Sequence, residues 1–321
     1  MTRVLVTGAT GFVGRVLCDV LAQSGYLVRA ALHGGRPVPA SVAEKVLVGD
    51  ICASTDWSAA LHGVDQVIHL AARAHVLHDA QANSHLYATT NAQGTQRLAL
   101  AAAQSGVQRF IYLSSVKVNG EETRHRAYTS FDEPRPQDPY GLSKWLGERS
   151  IADAVATAPM EGVIVRSPLV YGPGVRANFL RLLQWVDRRW PLPLGAVQNS
   201  RSLVSVWNLC DLLANVLKNP AARGGVWMVS DGEDLSTPEL IRRLAREMNR
   251  RVHLLPIPVG MLQLCGAMLG RKAEVARLCS SLAVDITQTR DELHWHPPVP
   301  VDEGLARTVI WYLTESKSRG L

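Results

Sequence analysis

The stretch that decides the fold is Gly8-Ala9-Thr10-Gly11-Phe12-Val13-Gly14, which directly follows the apolar run Val4-Leu5-Val6. A glycine loop between a buried strand and a helix permits a tight turn, a close backbone approach and close helix packing. A helix that begins near Phe12 would point its N-terminal N–H groups and its dipole at phosphate oxygens. The spacing, G-x-x-G-x-x-G, is one residue wider than that of the standard dinucleotide fingerprint. The stretch therefore predicts a pyrophosphate site formed by Gly8, Thr10, Gly11, Phe12, Val13 and Gly14.

Short apolar runs alternate with helical patterns over the first two thirds of the chain. Strands are predicted at 3–7, 27–32, 45–49, 66–70, 109–114 and 162–166, and helices at 12–24 and 83–105. Each of these helices is followed by a glycine, Gly25 or Gly106, which permits a left-handed exit. Strands that are apolar throughout and separated by helices predict a parallel sheet covered on both faces. We therefore expect an α/β, doubly wound (Rossmann) fold.

The pattern changes after Ser167, where proline- and glycine-rich loops separate shorter helices predicted at 177–189, 208–218 and 238–249. We expect residues 1–167 to form a dinucleotide-binding domain that carries the catalytic residues. Residues 168–321 are expected to form a smaller α/β substrate lobe, with some segments returning to the Rossmann sheet.

Composition indicates an ordinary globular protein: 321 residues, 47% hydrophobic, with a mean hydropathy of +0.02. The longest apolar run, 259–269, contains Gln263 and two glycines and is shorter than the ~20 residues that span a bilayer. The run Val4-Leu5-Val6 leads straight into the glycine loop and leaves no signal-peptide cleavage region. We therefore expect a cytoplasmic protein with no membrane partner.

The distribution of charges and cysteines argues against nucleic-acid binding and against a metal site. The net charge of +6 comes from dispersed arginines, densest at Arg242, Arg243, Arg246, Arg250 and Arg251. This spacing is typical of a solvated helix face, so no nucleic-acid partner is expected. The five cysteines lack C-x-x-C spacing and a nearby histidine pattern, so no metal site is expected.

The end of the second predicted strand bears on the choice of cofactor. An acidic residue there would hold the ribose 2′-hydroxyl of NAD. This chain instead has Ala31-Leu32-His33-Gly34-Gly35-Arg36. His33 and Arg36 could meet the 2′-phosphate of NADP, although a basic surface loop would show the same pattern. The sequence favours NADP over NAD, and Asp50 is placed to contact adenine.

Tyr140 and Lys144 stand four residues apart, on one face of a helix that Asp138 can cap and Pro139 can begin. A free tyrosine has a pKa near 10, but a nearby ammonium and a positive nicotinamide ring would favour the phenolate. Tyr140 could then exchange a proton with a sugar hydroxyl or ketone while a hydride moves. Ser115, at the end of the fifth strand, would hydrogen-bond the same oxygen. These residues predict a hydride-transfer enzyme.

Together these motifs resemble the extended short-chain dehydrogenases/reductases of the NAD-dependent epimerase/dehydratase family, which act largely on nucleotide sugars. The matching stretches are 7–14, 49–51, 69–72, 91–95, 113–115, 140–144 and 166–174. The resemblance implies a catalytic triad of Ser115, Tyr140 and Lys144, supported by Asn91. It also implies a homodimer whose interface includes the Tyr140 helix. The implied cofactor contacts, beyond the glycine loop, His33, Arg36 and Asp50, are Ile51, Leu70, Ala71, Ala72, Asn91, Tyr140, Lys144 and Ser167.

The resemblance also suggests the substrate side of the site. It implies diphosphate or sugar contacts from Asn178, Arg201 and Arg277, although a surface ion pair would explain Arg277 equally well. Arginine forks suit diphosphate groups. The other expected substrate contacts are Arg73, His75, Ser115 and Lys117.

Departures from the family pattern narrow the reaction. Family members that dehydrate sugars have Asp and Glu directly after the catalytic Ser or Thr, whereas this chain has Val116 and Lys117. We therefore do not expect 4,6-dehydration. Stretches 117–121, 193–196, 201–204, 230–236 and 284–286 are similar to bacterial surface-polysaccharide enzymes that are UDP-sugar 4-epimerases or 4-keto reductases.

We expect an NAD(P)-dependent oxidoreductase that reduces a UDP-4-keto-6-deoxy-N-acetylhexosamine, because the missing carboxylate after the second strand favours exchangeable NADP(H). The alternative is a UDP-glucose/UDP-GlcNAc 4-epimerase that uses the same triad. A non-catalytic dinucleotide sensor is the third hypothesis, although such proteins usually lose the tyrosine or the lysine.

Overall fold

The computed structural model of the chain describes residues 1–74 and 84–318. Within these residues the strands are β1 (Arg3–Thr7), β2 (Leu27–Leu32), β3 (Glu44–Leu47), β4 (Gln66–His69), β5 (Arg109–Ser115), β6 (Glu161–Ser167), β7 (Leu169–Tyr171), β8 (Arg201–Ser205), β9 (Val226–Met228) and β10 (Asp234–Leu235). The helices are α1 (Phe12–Gln23), α2 (Ser58–Leu61), α3 (Ser84–Tyr87), α4 (Gly94–Gln104), α5 (Pro139–Val155), α6 (Ala177–Asp187), α7 (Val206–Lys218), α8 (Thr237–Glu247), α9 (Val259–Met268), α10 (Lys272–Cys279), α11 (Thr287–Leu293) and α12 (Val301–Ser318).

The main sheet of the described chain has seven strands in the order β3-β2-β1-β4-β5-β6-β9, and every neighbouring pair is parallel. The strand order reverses between β1 and β4, where Thr7 lies opposite His69. In doubly wound sheets, such a switch point opens a crevice at the carboxyl ends of the strands, which is where ligands bind. The expected fold class is confirmed, and the predicted strands agree with the observed ones within two residues at each end.

Helices cover both faces of this sheet because its strands are apolar on both sides. Leu17 and Leu21 of α1 pack with Leu209 and Leu213 of α7 in one buried cluster. On the other face, α4 and α5 pack with β5 around the fully buried Phe110. Burial on both faces is the arrangement that continuous apolar strands require.

The second half of the chain both builds its own layer and extends the main sheet. Strands β10, β8 and β7 form a three-stranded sheet. Tyr171 and Phe179 stack in the core beneath this sheet, with ring centroids 5.4 Å apart. Strand β9 pairs with β6 at the edge of the main sheet. The division at residue 167 remains a prediction. No helix in the described ranges has the length and apolarity needed to cross a bilayer.

The predicted helix 83–105 differs from the structure. Its predicted first residue, Asn83, lies outside the described residues. The rest consists of α3, a π-helical turn at Ala88–Gln93, and α4. Side-chain spacing did not reveal this turn because a π turn adds one residue locally while the helix axis continues. The turn contains Asn91, which is fully buried.

Candidate active site

The glycine loop follows β1 at the switch point of the sheet, and its backbone requires glycine at positions 8 and 14. Gly8 has φ +72°, a conformation that disfavours other residues. A Cβ on Gly14 would lie 2.1 Å from the Gly8 carbonyl oxygen, and a Cβ on Gly11 3.1 Å from the same atom. The backbone that Gly14 approaches closely is therefore that of Gly8 and Ala9, within the loop. The loop is therefore held as a tight turn with its backbone open to a ligand.

The N-terminus of α1 fits a phosphate group. Gly11 is its N-cap residue and supplies no side-chain acceptor, so the first-turn N–H groups of Phe12, Val13 and Gly14 have no side-chain cap. Such N–H groups and the helix dipole attract anions. The Thr10 carbonyl accepts a hydrogen bond from Arg15 Nε at 3.1 Å, which fastens the loop to the helix. These residues fit the pyrophosphate of a dinucleotide.

The segment after β4 lies against the glycine loop. The backbone N–H of Ala71 donates to Thr7 Oγ1 at 3.1 Å, and that of Leu70 donates to the Thr7 carbonyl at 3.3 Å. A Cβ on Gly8 would lie 2.9 Å from Ala71 N. The structure thus brings the predicted contacts Leu70, Ala71 and Ala72 to the crevice beside the phosphate loop.

The strand ends beyond this loop bring a histidine and a carboxylate together. His33 Nε2 lies 2.9 Å from Asp50 Oδ1, and both side chains are largely exposed. Arg36 is also exposed and forms no ion pair with any residue that the structure describes. Ile51 packs against Gly94, where a Cβ would approach its Cγ2 to 2.5 Å. Strand β2 ends without a carboxylate, but the fold brings that of Asp50, from the loop after β3, beside His33.

Helix α5 begins as its sequence predicts. Asp138 Oδ1 accepts from the Gly141 N–H at 2.6 Å, and Pro139 occupies the first turn. Lys117 Nζ contacts Asp138 Oδ2 at 2.6 Å and Glu121 Oε1 at 2.7 Å. The charge of Lys117 is therefore compensated by two carboxylates, and its expected contact with substrate remains a prediction.

Tyr140 lies in surroundings that disfavour the phenolate. Burial raises its pKa to about 12, and a hydrogen bond with Ser115 lowers the pKa in part. The ring of Tyr87 packs edge-on against that of Tyr140, with 6.0 Å between the centroids. In the protein by itself, desolvation of the phenol dominates its pKa. The lowering of that pKa by Lys144 together with a bound nicotinamide ring remains a prediction.

Lys144 is also buried, with 2% of its surface exposed, and Nζ lies 3.9 Å from the centre of the Tyr112 ring. Burial lowers its pKa to about 7, opposed by the negative charge of Glu148. An aromatic face offers a cation only part of what hydration offers. The ammonium that should favour the phenolate is thus itself easily deprotonated.

Asn91 ties α5 to the segment after β4. Its Oδ1 accepts from Arg73 N at 2.8 Å, while Nδ2 donates to the Arg73 carbonyl and to Ser143 Oγ, both at 3.0 Å. Ser143 Oγ in turn donates to the Tyr140 carbonyl at 2.7 Å. The residue expected to support the lysine therefore holds the backbone beside both Tyr140 and Lys144. The Arg73 side chain reaches Thr90 Oγ1 at 3.3 Å, and its contact with substrate remains a prediction.

Ser115 and Ser167 lie opposite each other at the carboxyl ends of β5 and β6. Ser115 Oγ accepts from Lys117 N at 3.3 Å, and Ser167 Oγ donates to the Ser114 carbonyl at 3.4 Å. Both are buried. The structure places these two predicted residues at the same edge of the sheet as the glycine loop.

A buried polar chain beneath the site was missed. Thr7 Oγ1 lies 2.6 Å from His69 Nδ1, and His69 Nε2 lies 2.9 Å from Thr95 Oγ1. Burial lowers the pKa of His69 to about 3, so the ring is neutral near pH 7. Its ring stacks on Tyr112, the residue that faces Lys144. The available signal was a histidine ending an otherwise apolar strand.

The predicted substrate contacts are only partly brought together. Arg201 Nη1 donates to the carbonyls of Arg277 and Ser280, at 2.7 and 3.0 Å. The Arg277 side chain and Asn178, on α6, are exposed. Burial lowers the pKa of Arg201, and Glu121 opposes this. Arg201 therefore lies near Glu121, one of the two carboxylates that contact Lys117. Arg201 contacts the carbonyl of Arg277, whereas the Arg277 guanidinium is exposed. His75 lies outside the described residues.

The chain is similar to known proteins over nearly all of its length. Residues 4–229 match the model of the NAD dependent epimerase/dehydratase family. The chain is 42% identical to a UDP-glucose 4-epimerase of Vibrio cholerae, over 97% of this chain and 95% of that protein. It is 28% identical to an N-acetyl-alpha-D-glucosaminyl-diphospho-ditrans,octacis-undecaprenol 4-epimerase of Escherichia coli O157:H7, over 98% and 96% of the two chains.

A solved structure shares the fold over the same length. MoeE5 in complex with UDP-glucose and NAD superimposes with a TM-score of 0.78 at 27% identity, covering 98% of this chain and 99% of that one. Since the family match and the Vibrio relative both extend over most of the sequence, this chain is an NAD(P)-dependent enzyme that belongs to the NAD-dependent epimerase/dehydratase family.

Proposed function

We propose that this protein is an NAD-dependent 4-epimerase of a UDP-hexose or UDP-N-acetylhexosamine. The observation that carries the proposal is the grouping of Ser115, Tyr140 and Lys144 at the carboxyl edge of the sheet that also holds the glycine loop. Both relatives described above are 4-epimerases by name, and the MoeE5 structure contains UDP-glucose and NAD. These likenesses support epimerisation over the reduction that the sequence alone favours.

The protein residues divide the chemistry between them. NAD⁺, if held by the glycine loop, would supply reversible hydride exchange with C4 of the sugar. Tyr140 removes the proton from the C4 hydroxyl and later gives it back. Ser115 holds the same oxygen by a hydrogen bond, and the Lys144 ammonium stabilises the negative phenolate. The N-terminal N–H groups of α1 hold the pyrophosphate.

Elimination of water does not fit the residues that follow Ser115. Val116 is apolar and buried, and Lys117 is held between Glu121 and Asp138. Neither provides the carboxyl group that family dehydratases carry at these positions. The chemistry therefore ends with proton and hydride exchange at one carbon.

The substrate diphosphate requires a cation near Ser115 and Tyr140. We assign this role to Arg201, whose Nη1 group donates to two carbonyls and whose charge interacts with that of Glu121. The fork of a guanidinium suits a bidentate diphosphate contact. Asn178 and Arg277 are proposed as outer contacts of the same substrate.

A 4-keto reductase is the second candidate, and the cofactor separates the two. Strand β2 carries no carboxylate of its own, and Arg36 remains available to a 2′-phosphate, which favours NADP and reduction. Asp50 beside His33 offers a carboxylate to the ribose hydroxyls, which favours NAD. We propose NAD because the family relatives with bound cofactor contain NAD.

The test is an incubation of purified protein with UDP-glucose or UDP-GlcNAc and NAD⁺, without added reductant, followed by NMR of the sugar nucleotides. We expect each active substrate to approach an equilibrium mixture with its C4 epimer, with no net change in NADH. A protein that leaves both sugars unchanged but oxidises NADPH with a UDP-4-keto-6-deoxy-N-acetylhexosamine would be the reductase instead.

A further inference from the structure

Helix α9 exposes one apolar face to solvent. Met261, Leu264 and Met268 are 55%, 58% and 75% exposed, and Cys265 is also exposed. These residues are spaced i, i+3, i+4 and i+7, which places them on one side of a helix. Leu269, just beyond the helix, is 74% exposed and continues the patch. We call Met261, Leu264, Cys265, Met268 and Leu269 the α9 face.

The other side of α9 is anchored to the protein. Val259 and Leu262 pack against the core of the second half of the chain. Gly266 is buried against α10, where a Cβ would lie 2.6 Å from Val275 Cγ2. The helix therefore has a reason to form and a fixed orientation, and its outward apolar residues are not needed for that packing.

The charged residues that flank α9 in the sequence are cations. Residues 248–273 contain no Asp or Glu; Arg251 precedes the helix, and Arg271 and Lys272 follow it. Arg250 is paired with Asp187 at 3.2 Å. The first carboxylate beyond this segment, Glu274, lies 3.5 Å from Arg181. The α9 face is thus an apolar centre with cations at both ends.

The segments around Trp190 and Leu255 also combine exposed apolar side chains with nearby arginines. The backbone at Leu192 is hydrogen-bonded to the segment 253–255. Leu192 N donates to the His253 carbonyl, and Leu255 N donates to the Leu192 carbonyl, both at 2.9 Å. Trp190 and Leu255 are 51% and 45% exposed. A cavity of about 380 Å³ nearby is lined by Arg189, Ala245, Arg246, Asn249, Arg250 and Arg251.

We propose that the α9 face binds the surface of a membrane containing anionic phospholipids. Apolar side chains would enter the acyl boundary while Arg271 and Lys272 contact headgroup phosphates. A second copy of the chain is a poorer occupant, because apposed α9 segments would bring the cations of both copies together, and Glu274, the carboxylate that follows them, already lies against Arg181. Ten residues are too few to span a bilayer, so α9 lies in the plane of the surface. This inference goes beyond the proposed reaction and does not depend on it.

Vesicle flotation of the full-length protein tests the proposal. We expect wild type to float with phosphatidylethanolamine/phosphatidylglycerol vesicles and to stay behind with pure phosphatidylcholine. Leu264→Glu with Met268→Glu should abolish flotation. Arg271→Gln with Lys272→Gln should lower the partition coefficient by about 25-fold, since each surface cation contributes about fivefold. Ile310→Glu, on α12 and 65% exposed in wild type, is the matched control and should float like wild type.

Three results would overturn the proposal: no flotation of wild type with the anionic vesicles, equal flotation of the Leu264/Met268 variant, or no effect of removing the two cations. Light scattering of the same variants addresses a self-association surface. If the glutamates dissociate an oligomer and leave flotation unchanged, the α9 face is a contact between copies. Thermal unfolding of each variant checks that it is folded. If Leu264→Glu with Met268→Glu disturbs α9, Arg271→Gln with Lys272→Gln still tests the proposal.

Discussion

At the level of single residues, burial opposes the stabilisation that the Lys144 ammonium offers to a Tyr140 phenolate. The pKa of Lys144 falls to about 7, and that of Tyr140 rises to about 12. Tyr140 and Lys144 lie one turn apart on α5, so we expect their protons to leave in steps that belong to the pair. Loss of the first proton near neutral pH allows the tautomer with an ammonium and a phenolate, which is the form that can act as a base.

The successive loss of these two protons predicts how the rate of the oxidation step depends on pH. Below about pH 7 both groups are protonated, so the base is missing. We expect kcat to fall about tenfold for each pH unit below the apparent pKa near 7. Initial rates measured across buffers of constant ionic strength would show this limb. A rate that stays constant well below pH 7 would contradict the coupling of Tyr140 to Lys144.

The glycine loop gives a second prediction at this scale. Gly14→Ala places a Cβ 2.1 Å from the Gly8 carbonyl, so the loop must shift. We expect NAD to bind about tenfold more weakly or worse, because overpacking costs about 1–3 kcal/mol. Calorimetric titration with NAD⁺ measures this. Gly34→Ala is the control, since a Cβ there meets nothing within 4 Å. Equal affinity in the two variants would remove the loop from the pyrophosphate site.

At the level of elements, α5 is held to the sheet by a buried ion pair one turn beyond Lys144. Glu148 pairs with Arg166 of β6 at 2.6 Å and accepts from Ser114 Oγ of β5 at 2.5 Å. Both charged side chains are at most 9% exposed. The pair therefore fixes the catalytic helix against the two strands that carry Ser115 and Ser167.

Glu148→Ala should accordingly cost about 3–5 kcal/mol of unfolding free energy, because it leaves Arg166 buried without its carboxylate. Denaturant unfolding measures the loss. Glu133→Ala removes the partner of Arg135 from a pair whose side chains are about three quarters exposed, and it should change stability little. Similar effects of the two substitutions would show that the buried pair does not anchor α5.

The elements also show which parts of the site a sequence can predict. Strands, the glycine loop and the Tyr140 helix follow from apolar runs, turn residues and helical spacing, and they were predicted. The chain Thr7–His69–Thr95 joins residues 62 and 26 positions apart, which no local pattern encodes. The π turn at Ala88–Gln93 and the desolvation of the Tyr140 phenol were missed because both depend on tertiary packing.

At the level of the whole molecule, the two halves share one core. Helix α7 covers α1, and β9 extends the main sheet beside β6. Residues 1–167 expressed alone would expose the apolar surface that α7 and β9 cover. We expect this fragment to unfold without a cooperative transition and to bind ANS, as measured by circular dichroism and fluorescence. Cooperative unfolding with retained NAD binding would show that the fragment is an independent domain.

The proposed reaction depends on proton transfer by the phenol of Tyr140. The most direct measurement is kcat for 4-epimerisation of the active UDP-sugar by wild type and by Tyr140→Phe, with NAD binding measured alongside. We expect kcat to fall about 10²–10⁴-fold with little change in NAD affinity. A variant that turns over within about threefold of the wild-type rate would contradict it, because proton transfer would then not depend on this hydroxyl.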